Sequence, residues 1–234
     1  MAEERRRPAR PRDAASLVLL RGPNDAPQVL LGRRPDSVRF MPGIYVFPGG
    51  SLERNDHAVD TPFDLRPDVL ARVERRCGPA RARALAWTAI RETWEETGIL
   101  VGRSAAPGKA PTNRQDCPAH EAFIRKGLAP DLSALDYIAR AITPTRSPIR
   151  FNTRFFLASG ETAGEPAPES FELEDIGWRD LRAGLHDLPM MDVQHFVLEI
   201  AMEHWRNPPP PDPERPVLVR RYAYGRHWMR PERP

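Results

Sequence analysis

The apolar positions of this chain fall into continuous runs and helically spaced stripes, and the two patterns predict its elements. AASLVLL at 14–20, followed by Arg21, is a continuous apolar run that stops at the turn-forming Gly22-Pro23-Asn24-Asp25; QVLLGRR then resumes extended character, so a hairpin is predicted. FMPGIYVFPGG at 40–50 predicts a third strand near 44–47 that delivers its chain into a glycine loop. An aperiodic stretch from 51 to 65 follows, and RPDVLARVERRCG then reads as a short helix closed by Gly78. The longest helical pattern starts at Pro79, a favourable first-turn residue, and stops before Gly98, a favourable C-terminal cap. Within it Ala82, Leu85, Ala86, Ala89, Ile90 and Thr93 recur at three- and four-residue steps and give one buried stripe that packs on a sheet.

Further on, the Pro- and Gly-rich segment 103–118 reads as a surface loop and HEAFIRKGL as a short helix. Strands are predicted at 136–142, 152–158 and 171–178, the last running into a short helix at 180–186. Residues 190–206 form a helical pattern with Val193, Phe196, Val197 and Ile200 on one face. NPPPPDPERP then leaves as a polyproline stretch toward YAYGRHWMRPERP, a tail expected to dock back, on this chain or on a second copy in a homodimer.

Composition narrows the class. At 234 residues, with 40% apolar and 29% charged residues, the chain can bury a substantial core, and its 27 prolines imply many interrupted elements. No apolar run approaches the ~20 residues needed to cross a bilayer. The opening MAEERRRPARPR lacks the apolar centre of a signal peptide, so no membrane partner and a cytoplasmic location are expected. The expected organisation is a basic arm at 1–13 bearing Arg5, Arg6, Arg7, Arg10 and Arg12, one domain at 14–206, and a proline-rich tail at 207–234. Cys77 and Cys117 stand outside any CxxC pair and read as free thiols. The net charge of +3 is mild and no basic stripe is interleaved with aromatics, so nucleic acid is not an expected partner; the positive charge suits an anionic small molecule equally well.

The chemistry is concentrated in Arg91-Glu92-Thr93-Trp94-Glu95-Glu96-Thr97-Gly98-Ile99. Glu92, Glu95 and Glu96 stand at i, i+3 and i+4, so three carboxylates share one side of the helix and repel one another. Such a cluster is either a solvated acidic face or a site for a hard divalent cation, which takes oxygen ligands and bridges to phosphate. Phe47-Pro48-Gly49-Gly50 favours the second reading, because glycines permit close backbone approach beside that helix.

These residues resemble the Nudix signature G-x5-E-x7-R-E-U-x-E-E-x-G-U, with U apolar: Gly50, Asp56, Arg91-Glu92, Glu95-Glu96, Gly98 and Ile99 match in order. Asp56 stands where the family has Glu, and Thr93 where it has an apolar residue. Gly50 and Arg91 are 41 positions apart where the signature has 14, so residues of roughly 57–83 read as an insertion in the Nudix box. The resemblance implies an α/β fold, an α/β/α sandwich with a mixed β-sheet, and a pyrophosphohydrolase using Mg²⁺ or Mn²⁺. It implies that Glu92 and Glu96 lead the metal ligands, that Glu95 is a ligand or orients water, that the Gly49 carbonyl is a further ligand, and that Arg91 ties the helix to the loop. Glu172 and Glu174 are candidates by position for a general base outside the helix.

LLGRRPDSVRFMPGIYVFPGG looks like the coenzyme A pyrophosphatase signature LLTxR(S/A)x3Rx3Gx3FPGG, with Arg34, Arg39 and Gly43 in register and Gly32 and Pro35 departing. Ile142-Thr143-Pro144 and then Arg150-Phe151-Asn152-Thr153-Arg154-Phe155-Phe156-Leu157-Ala158 are similar to the TP…RRFDTRFFLA stretch of acyl-CoA diphosphatases, from which Ile149 and Asn152 depart. Arg34, Arg39, Arg150 and Arg154 are therefore the expected substrate-binding cations, although alternating Phe and Arg also suit a half-buried strand. The expected substrate is coenzyme A or an acyl-CoA. Nucleotide sugars, dinucleotides, nucleoside triphosphates and a non-catalytic binding role stay open.

Overall fold

A computed structural model of the chain describes residues 9–38, 41–105, 117–161, 163, 165–167, 172–181, 188–223 and 226–232. The first half comprises β1 (Arg12–Arg21), β2 (Gln28–Arg33), β3 (Tyr45–Val46), β4 (Gly49–Ser51), α1 (Pro67–Glu74), α2 (Pro79–Thr97) and β5 (Gly102–Ser104). The second comprises α3 (Pro118–Arg125), β6 (Leu128–Pro130), β7 (Asp136–Ile142), β8 (Phe151–Ser159), β9 (Glu174–Asp180), α4 (Asp192–Arg206), β10 (Val217–Ala223) and β11 (Arg226–Glu232).

Among the described residues nine strands form one mixed sheet in the order β11-β10-β7-β8-β1-β2-β3, with β4 also on β1 and β9 also on β2. The β1–β8 and β7–β10 pairs are parallel; the other pairs of this sheet are antiparallel. β5 and β6 form a separate antiparallel pair. The run in β1 is continuous because both faces of the sheet are covered. Leu17 and Leu19 enter the core beneath α1, α2 and α3, while Val18 and Leu20 enter the core beneath α4; all four are fully buried. The architecture is thus the expected α/β/α layering. No helix among the described residues is long and apolar enough to cross a membrane.

Helix α2 spans the predicted residues, with Pro79 at its start and Gly98 in the left-handed region (φ 76°) at its end, where the Gly98 N–H donates to Trp94 O at 2.7 Å. Its burial goes beyond one stripe: Ala84, Trp87 and Thr88 are buried as well, because α1 and α3 cover faces that a lone amphipathic helix would leave wet. Helix α1 lies within the expected insertion and is part of the core. Val69 and Val73 are buried, and the fully buried Arg72 donates to Tyr137 O at 2.7 Å and to Asp136 at 2.6 Å.

Several segments differ from their sequence patterns. Arg12 and Asp13, expected in the basic arm, begin β1, because the parallel ladder with β8 already pairs Arg12 with Phe151. Strand β9 starts at Glu174, and most of the helix expected at 180–186 lies outside the described residues. In the segment expected as a tail that docks back, β10 and β11 pair antiparallel and β10 runs parallel to β7. Buried Glu232 holds the hairpin's end by accepting from Arg140 at 2.6 Å and Arg76 at 3.1 Å. Arg215 does the same at its start through Asp136 at 2.6 Å. Burial alone would raise the pKa of Asp136; His204, Arg72 and Arg215 outweigh it and hold the carboxyl well below its usual range.

His120 of α3 is 4% exposed and stacked on Trp87 at 4.5 Å, and neither ring nitrogen has a hydrogen-bond partner among the described residues. Burial pushes its pKa below the ordinary value, against the pull of Asp60 and Asp56. A lowered folded pKa makes neutral His120 stabilising above the unfolded value of about 6.5, and that contribution is lost as pH falls toward the folded pKa, because the unfolded chain takes the proton first. Glu92 and Glu96, raised by burial, act in the opposite sense across this window, so the His120 contribution is read as a difference: as pH drops through about 6.5 the melting temperature of the wild type should fall relative to that of His120→Phe. Asp136, whose folded pKa is also lowered, acts in the same sense, but its contribution is fully present above about 3.9 and changes only below it, outside this window. An unchanged slope in the variant would rule the assignment out.

Candidate active site

The site is built where β4 leaves β1 and passes the last turns of α2. Gly49 pairs with Ser16 and Gly50 with Ala15. A Cβ on Gly49 would stand 2.5 Å from the Ala15 carbonyl oxygen, and one on Gly50 would stand 2.3 Å from Oε1 of Glu92. Both glycines are therefore set by close approach, one to the neighbouring strand and one to the helix carboxylate. The Gly49 N–H donates to Glu96 Oε2 at 2.8 Å, while Ser16 Oγ and the Leu17 N–H hold the Pro48 carbonyl at 2.7 and 2.9 Å.

Arg91 joins helix to loop, as its motif position implied. Its Nε and Nη2 donate to the two Asp56 oxygens at 2.8 and 3.1 Å, and Nη2 also reaches Ser51 O at 3.2 Å. Its Nη1 contacts Glu95 at 2.7 Å and Glu92 at 2.9 Å. Asp56 is 1% exposed and also accepts from Thr88 Oγ1 and the Glu53 N–H, each at 2.8 Å. Asp56 thus meets Arg91 despite the long intervening segment, which leaves and returns between the two residues.

The carboxylates diverge in environment. Oxygens of Glu92, Glu96 and Glu172 lie within 4.8 Å of one another, an all-oxygen anionic donor set that fits a hard divalent cation. Burial raises the Glu92 pKa to about 7 against the pull of Arg91, with Glu95 adding to the rise. Burial likewise lifts Glu96 well above the carboxylate range, opposed by the Gly49 N–H and reinforced by Glu92 and Glu172. Glu95 is raised by burial and held back by Arg91. A cation between these oxygens would remove both the repulsion and the cost of burying charge. Glu95 shares the helix side but turns to Arg91, and Glu172, from the segment before β9, takes its place in the cluster. Glu174 instead pairs with Arg33 at 3.0 Å.

The carboxylates line a cleft of about 880 Å³, whose lining also includes residues 190–194 at the start of α4. Phe47, Phe151, Phe155, Ile142, Ile149 and Val193 supply much of its apolar wall, and Arg34, Arg220 and Arg221 line it as well. Of the four expected substrate-binding arginines, the structure brings Arg34 to the cleft; Arg39 lies outside the described residues. Arg154 is corrected: Phe151, Thr153 and Phe155 of β8 face the cleft, so Arg154 points to the opposite face, 1% exposed and 3.3 Å from Asp13. Arg150 is not among the cleft-lining residues either, and its guanidinium is engaged in donating to the carbonyls of Thr143 at 3.1 Å and Ala9 at 2.6 Å. Arg220 and Tyr222 were missed, because nothing local in the sequence says that the final segment rejoins the sheet beside the cleft.

No family model matches the chain. Nudix hydrolase 7 of Caenorhabditis elegans is 23% identical over an alignment covering 83% of this chain and 62% of that protein. Human acyl-coenzyme A diphosphatase NUDT19 is 28% identical, covering 72% of this chain and 60% of that protein. The chain thus spans a little under two thirds of the length of these curated relatives. A crystal structure of a Nudix hydrolase from Alicyclobacillus acidocaldarius is 33% identical with a TM-score of 0.63, covering 83% of this chain and 92% of that one.

Removing Asp56 takes two hydrogen bonds from buried Arg91, which keeps Glu92, Glu95 and Ser51 O, and leaves Thr88 Oγ1 and the Glu53 N–H without that acceptor. Asp56→Ala should cost about 3–5 kcal/mol in denaturant unfolding, the scale for a buried pair broken on one side, and Asp56→Glu should cost less. A loss under about 1 kcal/mol for Asp56→Ala would show that the pair does not organise the site.

Proposed function

The chain belongs to the Nudix hydrolase superfamily, and from that membership we propose that it is a metal-dependent pyrophosphohydrolase that cleaves the diphosphate of coenzyme A or an acyl-coenzyme A. The observation that carries the reading is the convergence of Glu92, Glu96 and Glu172 in a cleft that is also lined by apolar side chains and arginines. Glu92, Glu96 and Glu172 would hold Mg²⁺ or Mn²⁺, with the Gly49 carbonyl as a further ligand. When bound, the ion supplies charge neutralisation at the diphosphate and lowers the pKa of water for attack at phosphorus.

The chain's own residues do the rest. Arg91 fixes the helix carboxylates against the loop and keeps its charge because Asp56, Glu92 and Glu95 outweigh the burial that opposes it. Arg34, whose charge already acts on Glu96, is placed to take a phosphate oxygen by a charge-assisted hydrogen bond. Glu95, held by Arg91 at the edge of the cluster, is placed to orient water. Coenzyme A is favoured because its pantetheine arm, or an acyl chain, has apolar surface that the wall of Phe151, Ile142 and Ile149 can cover. The name of the human relative supports the same substrate class.

The test is hydrolysis of coenzyme A, acetyl-coenzyme A, NADH, ADP-ribose, a nucleoside triphosphate and a diadenosine polyphosphate with Mg²⁺ or Mn²⁺. Coenzyme A compounds should be cleaved fastest, and Glu96→Gln should lower turnover by roughly 100-fold or more, the scale for removing one preorganised electrostatic group. A different preferred diphosphate would overturn the substrate; folded protein that cleaves none would favour a binding role. Separately, Gly50→Ala would set a methyl against Glu92, so Mn²⁺ affinity should drop by about 10-fold or more with the circular dichroism spectrum intact. Unchanged Mn²⁺ affinity would remove Glu92 from the ligand set.

A further inference from the structure

The cleft carries positive charge at two separate places. Arg34 stands beside the carboxylates and acts on Glu96. Arg220 stands on β10, which reaches the cleft only because the C-terminal hairpin joins the sheet beside β7. In the sheet three strands, β7, β8 and β1, stand between β10, which bears Arg220, and β2, whose end leads into Arg34. Two cationic places in one cleft suit a ligand with two separated anionic groups.

Arg220 is itself built in. Its side chain is 16% exposed, lies over the Phe196 ring at 5.8 Å and donates to Asp192 O at 2.7 Å. Its carboxylate contact among the described residues, Asp192 Oδ2 at 3.3 Å, belongs to a side chain that is 81% exposed, and so is screened by water. Tyr222, two residues along the same strand, also lines the cleft, as does the first turn of α4 through Asp192, Val193 and Gln194, whose N-terminal end adds positive potential.

We propose that Arg220, with Tyr222 beside it, receives a second phosphate of the substrate, one outside the scissile diphosphate, and thereby determines specificity. This rests on the proposed reaction, and in coenzyme A the group would be the 3′-phosphate of the nucleotide. The remaining faces of the guanidinium supply donors that a phosphate takes in forked geometry, and the buried stem fixes their position before binding. The alternative is that Arg220 only pins the first turn of α4.

The test compares kcat/KM for coenzyme A and for 3′-dephospho-coenzyme A in the full chain with saturating Mg²⁺, for wild type, Arg220→Gln, Arg220→Lys and Tyr222→Phe. Wild type should prefer the phosphorylated substrate. Arg220→Gln should lose about tenfold or more on coenzyme A, mainly through KM, and stay within about twofold on the dephospho compound. Arg220→Lys should recover part of the preference, and Tyr222→Phe should lose a smaller part of it. Each comparison is a ratio within one protein, so partial unfolding of a variant cancels. Equal losses on both substrates would mean a structural pin, and an unchanged preference would mean that the phosphate sits elsewhere; either overturns the proposal. If wild type cleaves neither compound, the proposed reaction fails first, and calorimetry with adenosine 3′,5′-bisphosphate against 5′-AMP decides the subsite. Preference for the bisphosphate that Arg220→Gln abolishes supports it, and equal binding overturns it.

Discussion

The buried ion pair between Arg91 and Asp56 is the constraint on which the rest of the site depends. One guanidinium holds the loop through Asp56 and Ser51 and the helix acids Glu92 and Glu95 at the same time. With the loop seated there, Gly49 can give its N–H to Glu96 and Gly50 can lie against Glu92 with no room for a side chain. Charge buried to this degree is costly unless every partner is present, so the arrangement is cooperative and helix and loop hold their positions together.

That seating explains the electrostatic character of the cleft. Burial pushes Glu92 and Glu96 toward their neutral forms, and Glu172 arrives from another part of the chain to make the crowding worse. The stored repulsion is what a divalent cation relieves, so affinity for the ion is created by the fold rather than by any single residue. Apolar side chains and Arg34, Arg220 and Arg221 line the same cleft, so acidic and cationic groups meet in one cavity.

The segment between Asp56 and α2 and the C-terminal hairpin form a common support for the cleft. Arg72 of α1 and Arg215 before β10 meet on Asp136, and Arg76 meets Arg140 on Glu232. Through these pairs α1 steadies β7 and β10, the strands that carry Ile142, Arg220 and Tyr222 into the cleft. What reads in the sequence as an interruption of a motif is, in the fold, an anchor for the far side of the site.

Features of short range were legible in the sequence. Helix α2, its Pro79 and Gly98 ends, the first hairpin and the glycine loop all follow from spacing and backbone preference within one element, where physics is local. The pairing of Arg91 with an acidic loop residue was legible through the motif alone. The third member of the carboxylate cluster was not: helix geometry allowed Glu95, and only the course of the chain into β9 beside β2 made it Glu172. Nor was the fate of Arg154, because which face a strand residue takes depends on register with β1 and β7, set by partners distant in sequence. The segment after the prolines at 208–211 was expected to dock back, but the place was not legible: β7 offered an edge to β10, and buried Glu232 pairs there with Arg140 and Arg76. The sequence by itself determined which helix bears the acids and which loop meets it; tertiary structure alone decided which side chains line the cleft, because long-range strand pairing, not local preference, assigns the faces.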